Sequence, residues 1–352
     1  MLRAPLDAPP PPPAPPGGCS ACLANSPFCT SCIESFPLPL LETLETLETL
    51  PRHRFFKARR KGFGRFDAIF MMTTPKRWAQ RRDVIALRLK LAQIGPTVHI
   101  VNGSGVDELH RMQLDRQGLT PRFHQLAASW AHVAVAQHAL KRRHDSILLI
   151  EDDAAFKRDA AELVESMISG MAARQSTAEG NWTLLRLGYS YRWGRTLSPC
   201  DKELPGQVVL ASGPRDVRSS VAVAYRGAGI RLAAGMRFFR FGTPKSIDII
   251  LGHGGPFPSE HLALPPLVVQ ASATAGRKTS THLNSALILL GKCANLTLRE
   301  AALTPAGINV RAAWENGTFS RTTEGELALS TTLLNWTLPT RGGARRNASH
   351  HG

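Results

Sequence analysis

The chain has 352 residues and a hydrophobic share of 43%, enough to bury a sizeable core in one large domain or two smaller ones. No stretch of about 18 apolar residues occurs, which excludes an ordinary transmembrane helix. A formal net charge of +16 points to an anionic partner, and charge alone does not choose among nucleic acid, a membrane surface and a phosphorylated substrate.

Residues 1–65 read as low-complexity and disordered. A proline tract from Met1 to Pro16 lacks the apolar segment of a signal peptide. Two C-x-x-C pairs follow, Cys19/Cys22 and Cys29/Cys32. Four thiolates there could hold one zinc, but the six-residue gap is short for a zinc ribbon, so disulfides or unpaired thiols are the competing readings. The repeat L-E-T at 41–50 has a period of three, which fits neither helix nor strand, and no packed element is expected in it. A basic run then carries Arg52, Arg54, Lys57, Arg59, Arg60, Lys61 and Arg65, a pattern typical of a solvated tail.

From Phe66 the apolar pattern becomes regular. Asp67 to Met72 predicts a first strand, and Pro75 to Ile94 a helix with Val84, Leu87, Leu91 and Ile94 on its core face, closed by Gly95-Pro96. Thr97 to Val101 is a second strand before the loop N-G-S-G at 102–105. His124 to Leu140 is an alanine-rich helix offering Leu126, Trp130, Val133 and Leu140 to the core. Ile147 to Ile150 is a third strand. The alternation predicts an α/β domain with a mostly parallel sheet and right-handed crossovers.

Beyond it the pattern predicts a helix over Ala160–Met171, a strand over Trp182–Leu187 and an aromatic, basic loop over Tyr189–Arg195. Strands over Gln207–Leu210 and Ser219–Tyr225, a short helix over Arg226–Ala234, an apolar segment at 244–251 around Asp248 and a short strand over Leu267–Gln270 complete the domain. Residues 276–352 form a C-terminal extension whose order the pattern leaves open. Cys200 and Cys293 can pair only if the fold brings them together. Six N-x-S/T sequons, at Asn102, Asn181, Asn295, Asn316, Asn335 and Asn347, far exceed the roughly one expected by chance and favour a secretory-pathway lumen.

The chemistry concentrates in S-I-L-L-I-E-D-D at 146–153, a strand buried on both faces that runs into three carboxylates. Ligands of open α/β sheets gather at such carboxyl ends. Capping of the next helix by Asp152 and Asp153 is the plain reading. The alternative is a divalent ion, Mn²⁺ or Mg²⁺, since Glu151 and Asp153 at i and i+2 share one side of an extended backbone. Such an ion could act as Lewis acid on a departing nucleotide diphosphate, as in a nucleotide-sugar transferase.

Taken in order, F-D-A-I-F-M-M-T-T-P-K-R-W-A-Q-R-R at 66–82, A-S-W-A-H at 128–132, I-L-L-I-E-D-D-A-A-F at 147–156, A-Y-R-G-A-G at 224–229, S-I-D-I-I-L at 246–251 and P-L-V-V-Q at 266–270 resemble glycosyltransferase family 25, the lipooligosaccharide and procollagen galactosyltransferase type. The resemblance covers 66–275 and implies a GT-A-like domain. It further implies transfer, with inversion, of a hexose such as galactose from a UDP-sugar to a glycan or glycoprotein hydroxyl. It places donor contacts on Lys76, Arg77, Arg81 and Arg82, metal and donor-diphosphate binding on Asp153 with Glu151 as second ligand or ribose contact, and a general base or an aid to the metal on Asp248, with Glu260 and Asp216 as weaker alternatives. The family's Ser-His pair falls on Ala131-His132, so the serine is lost. Tyr189, Tyr191 and Trp193 are candidates for stacking on a sugar or uracil ring, or for packing.

Two other readings compete. In a bacterial receiver domain an acidic strand of this kind comes first, but here two strands and two helices precede it. A basic nucleic-acid-binding protein without catalysis would use the 52–65 run and Lys141-Arg142-Arg143, yet no base-reading module accompanies those charges.

Overall fold

The computed structural model describes residues 43–46, 61–94, 98–103, 120–174, 181–191, 196–204, 206–212, 217–236, 239–240, 243–244, 247–252, 257, 259–270 and 285–308. The cysteine pairs near the start, the 52–60 part of the basic run, Gly95-Pro96, Trp193, Asp216 and the three last sequons lie outside them.

The strands are β1 (Thr43–Thr46), β2 (Ala68–Thr73), β3 (Val98–Asn102), β4 (Ser146–Glu151), β5 (Ala154–Phe156), β6 (Leu184–Tyr191), β7 (Thr196–Leu197), β8 (Gln207–Ser212), β9 (Val217–Arg226), β10 (Phe239–Arg240), β11 (Thr243–Pro244), β12 (Ser259–Leu264) and β13 (Val268–Gln270). The helices are α1 (Pro75–Leu91), α2 (Thr120–Arg142), α3 (Ala160–Ala173), α4 (Ala228–Ala234), α5 (Ile247–Gly252), α6 (285–293) and α7 (Leu298–Leu303). Nine strands make one sheet in the order β1-β3-β2-β4-β9-β6-β12-β8-β7. β5 pairs with β13 and β10 with β11 in two small ribbons.

The protein is therefore α/β with a large central sheet, parallel over β3-β2-β4 as the alternation predicts. Across its whole width the sheet is mixed. β9 runs antiparallel between β4 and β6, and β8 and β7 extend the far side as antiparallel strands. β9 is inserted between β4 and β6, which run in the same direction, so both of its pairings are antiparallel. The L-E-T repeat supplies a short strand after all, because β1 pairs with the otherwise open edge of β3 and satisfies its backbone groups.

Alternation along each strand separates two apolar layers. Ile147 and Leu149 face one with Phe70, Trp130, Val133, Ile230 and Leu251, the layer of α2, α4 and α5. Leu148 and Ile150 face the other with Trp78, Ile85, Leu89, Val164 and Met167, the layer of α1 and α3. Each such aliphatic side chain, fully buried, contributes about 1.5–3 kcal/mol. A close approach holds α4 in place: a Cβ on Gly229 would lie 1.9 Å from the Thr183 carbonyl oxygen, so only glycine fits.

Helix α1 starts as its sequence requires, with Thr74 Oγ1 accepting from Arg77 N and Pro75 in the first turn. Its buried face differs from the expected one. Trp78, Ile85, Arg88 and Leu89 turn inward, whereas Val84 and Leu87 are half-buried and Leu91 is exposed. The cap fixes the first turn, Trp78 enters the core from it, and the stripe that follows Trp78 at helical spacing is the one that packs. In α2, Trp130 and Val133 are buried and Leu140 is exposed; the Leu126 side chain lies outside the described residues.

The domain also begins earlier than Phe66. The 3₁₀ turn Gly62–Arg65 puts Phe63 in the core, 5.8 Å edge-on from Phe156, and Arg65 pairs with Glu165 of α3. At the other end α6 and α7 pack Leu289, Leu290 and Ala301 against Tyr191, Val209 and Leu262. A Cys200–Cys293 disulfide, with Cα atoms 5.2 Å apart, ties this part of the extension to the sheet. No helix among the described residues is long and apolar enough to cross a membrane.

Candidate functional site

Helices α1 and α2 pack on opposite faces of the sheet, and the strand order reverses at β2, with β3 on one side of it and β4 on the other. Ligands of open α/β sheets gather at the carboxyl ends of such strands. Here Met72-Thr73 end β2, Glu151 ends β4 and Asn102 ends β3 alongside.

The three acids of the triplet differ in their surroundings. Asp152 is a fastening: it accepts from Thr73 Oγ1 at 2.7 Å and from Arg77 Nη1 at 2.9 Å, and its amide donates to the Met72 carbonyl at 3.1 Å. These bonds join the end of β4 to the end of β2 and the start of α1. Asp152 thus ties the strand ends together rather than capping a helix, since β5 intervenes before α3.

Glu151 continues the β4 parity of Ile147 and Leu149 and points to the α2 and α5 side. Ser220 Oγ of β9 donates to its Oε1 at 2.6 Å and Gln270 Nε2 of β13 to its Oε2 at 3.2 Å. Burial raises its carboxyl to about 7, and the charges of Asp153 and Asp248 add to that, while the two hydrogen bonds oppose it. Asp153 is buried in the turn between β4 and β5. Asp248 lies in the first turn of α5, with Oδ1 buried and lacking a hydrogen-bond partner among the described residues. The fold thus brings Asp248 to the Glu151–Asp153 segment from a distant place in the chain.

Of the expected donor contacts, Arg77 is bonded to Asp152 and still half exposed, and Arg81 follows one turn along the same helix face, half-buried. Lys76 is exposed, and Arg82 faces Asp83 at 4.0 Å, also exposed. Glu260 is fully buried in an ion pair with Arg186, which removes it as an alternative base. Tyr189 and Tyr191 belong to β6 and are buried, with Tyr189 Oη donating to the Ala263 carbonyl at 2.6 Å; they pack, and cannot stack on a ligand. The predicted loop is strand here because β6 keeps pairing with β9 as far as Tyr191↔Val217. His132 is buried on α2 with Nδ1 3.0 Å from Tyr225 Oη. Burial and the nearby Arg186 charge lower it to about 3, so it is neutral and serves packing.

Sequence reasoning missed Ser220 and Gln270. The signal was present: Ser219-Ser220 interrupts an apolar strand, and Gln270 ends P-L-V-V-Q with a polar group.

The set suits a hard cation in chemistry, since its donors are carboxylate oxygens, and burial, with the charges of Asp153 and Asp248 added, leaves Glu151 hard to ionise. Among the described residues, no three His, Cys, Asp or Glu side chains form a ready-made metal cage. Two carboxylates completed by water and substrate phosphate oxygens is the arrangement that Mg²⁺-like ions commonly adopt. Compared with known families the chain matches no family model, and no curated protein aligns with it significantly.

Proposed function

We propose that this chain is a metal-dependent glycosyltransferase that moves a hexose from a UDP-sugar to a hydroxyl of a glycan or glycoprotein acceptor. The observation that carries this reading is the group of carboxylates at the end of β4, half-buried Glu151 and Asp248 with buried Asp153, in which Glu151 is pushed up to about 7. The mixed sheet, parallel on one side of β4 and reversed at β9, is compatible with a GT-A-like domain, and the ordered resemblance to glycosyltransferase family 25 supplies the class of reaction.

In this reading Glu151 and Asp153 hold Mn²⁺ or Mg²⁺, which when bound would supply Lewis acidity toward the diphosphate. The chain's own residues do the rest. Asp152 bonds one nitrogen of the Arg77 guanidinium and so sets its place at the strand ends, leaving donors for phosphate oxygens. Arg81 adds a second positive charge on the same face. Asp248, whose Oδ1 lacks a hydrogen-bond donor among the described residues, takes the acceptor hydroxyl's proton as the sugar departs. The sequons and the Cys200–Cys293 disulfide both favour an oxidising secretory lumen, ER or Golgi.

A panel of nucleotide sugars assayed for nucleotide release, with and without Mn²⁺, tests the proposal. Mn²⁺-dependent release from a UDP-sugar, reduced about 100-fold or more by Asp153→Asn in a protein that stays folded, is expected. A folded protein inactive on every donor with Mn²⁺ would overturn it.

A further inference from the structure

A buried ion pair deep in the sheet aims the hydroxyl that orients Glu151. The pairing of β6 with β9 is irregular on both sides of Gly188, and the larger shift lies on its C-terminal side. Gly188 stands opposite Ala222 and Ser190 opposite Arg218, so two residues of β6 span four of β9, and Ser219, Ser220 and Val221 bulge. Bulges bend a strand and re-aim its side chains, and they recur beside functional sites. Here Ser219 adopts φ 75, a left-handed conformation that serine rarely takes unaided. Gly188 makes room for it: a Cβ there would lie 2.5 Å from Val221 Cγ1 and from the Val268 carbonyl oxygen.

Two bonds fix the bulge. Arg186 Nη1 of β6 donates to the Ser219 carbonyl at 2.5 Å, and Arg186 Nε donates to Glu260 of β12; both of these charged side chains are fully buried. The next residue, Ser220, then presents Oγ to Glu151 at 2.6 Å. A chain of contacts therefore runs Glu260, Arg186, Ser219, Ser220, Glu151, across three neighbouring strands and onto β4. A buried ion pair is a costly way to stabilise a sheet, since apolar residues of similar volume often serve as well. Its placement on the strained carbonyl gives it a use that apolar residues lack.

We propose that Ser220 is a positioning residue for Glu151 and that the Arg186–Glu260 pair holds it in position through the Ser219 bulge. The inference rests on Glu151 being a ligand of the divalent ion. Partners of this kind, bonded to a ligating carboxylate, typically change metal affinity by about 10–100-fold when removed.

The test compares wild type, Ser220→Ala, the double variant Arg186→Met/Glu260→Leu, and all three changes combined. The double variant is used because removing one partner alone strands a buried charge and strongly destabilises the fold, whereas replacing both with apolar residues keeps the interior neutral. Thermal unfolding verifies the fold, calorimetry gives Mn²⁺ affinity, and nucleotide release is followed as Mn²⁺ is raised. The expected result is about 10-fold weaker Mn²⁺ binding in Ser220→Ala and in the double variant, with no further loss on combination and turnover recovering at high Mn²⁺. Wild-type affinity in both variants would overturn the inference while leaving the transferase reading intact, as would fully additive losses. A wild-type protein that binds no Mn²⁺ would overturn the metal reading and this inference with it.

Discussion

The parallel strands β3, β2 and β4 bury apolar side chains and Thr73, whereas β9, β6 and β12 bury an arginine, a glutamate, a histidine and tyrosines among their apolar residues. The first half could be rebuilt from many sequences of the same pattern, because packing of Ile, Leu and Val tolerates exchange at about 1.5 kcal/mol or less. The second half depends on particular atoms meeting. The site lies on the seam, where Glu151 of β4 takes its hydrogen bonds from Ser220 of β9 and Gln270 of β13. One half supplies the carboxylates and the other decides how they are held.

The largest effect that would sharpen this contrast is Glu260→Ala. It leaves Arg186 charged and unpaired in the interior and is expected to cost about 3–5 kcal/mol in urea unfolding, against about 0.5–1.5 kcal/mol for Ile150→Val in the parallel half. Equal costs would mean that the halves do not differ. Next comes the disulfide, which closes a loop with a sequence separation of 93. Replacing Cys200 and Cys293 with serine is expected to lower stability by about 4 kcal/mol under the same measurement, on the chain-entropy view.

The seam itself should respond to pH. Glu151 has a folded value of about 7 against an ordinary 4.5, so the folded state holds its proton more tightly. Its stabilising effect is complete below about 4.5 and is lost as pH rises through about 7, on the order of 3 kcal/mol without a cation. Glu151→Gln should flatten that slope, and Mn²⁺ should offset it in the wild type. An unchanged slope in the variant would place the titration elsewhere. The smallest effect belongs to the outer edge: Glu165→Gln removes a solvent-facing pair with Arg65 and is expected to cost about 0.5 kcal/mol. Hydrogen bonds from Arg65, Ser169 and the Gly62 amide, with the Arg65 charge, lower Glu165 to about 2, so that small contribution fades only as pH falls from about 4.5 through about 2.

The same contrast explains what could be read in the sequence. β2, α1, β3, α2 and β4 follow from runs such as I-L-L-I and from caps such as Thr74-Pro75, which are local signals, and the acidic end of β4 stands out for the same reason. The reversal of β9 is not local. Ser219–Tyr225 reads as a strand, but nothing in it says which neighbour it meets or in which direction. β12 was missed because Glu260 and His261 break its apolar pattern, and the reason they are tolerated, Arg186 at a distance of 74 residues, is visible only after folding. The face of α1 was misplaced because the spacing of Val84, Leu87 and Leu91 is as regular as that of Trp78, Ile85 and Leu89, and only the cap and the size of Trp78 decide between them. Ser220 and Gln270 do not stand out in the sequence because a polar residue in or at the end of a strand looks like any residue facing water.

Calorimetric titration of the folded protein with Mn²⁺ between about pH 6 and about pH 8 tests the acidic site most directly, since a cation that displaces the Glu151 proton must compete with it. The prediction is one saturable site per chain, with affinity rising as pH passes through about 7 and with proton release at about pH 6 that fades by about pH 8. Saturable binding that ignores pH, or no saturable binding at all, would contradict it.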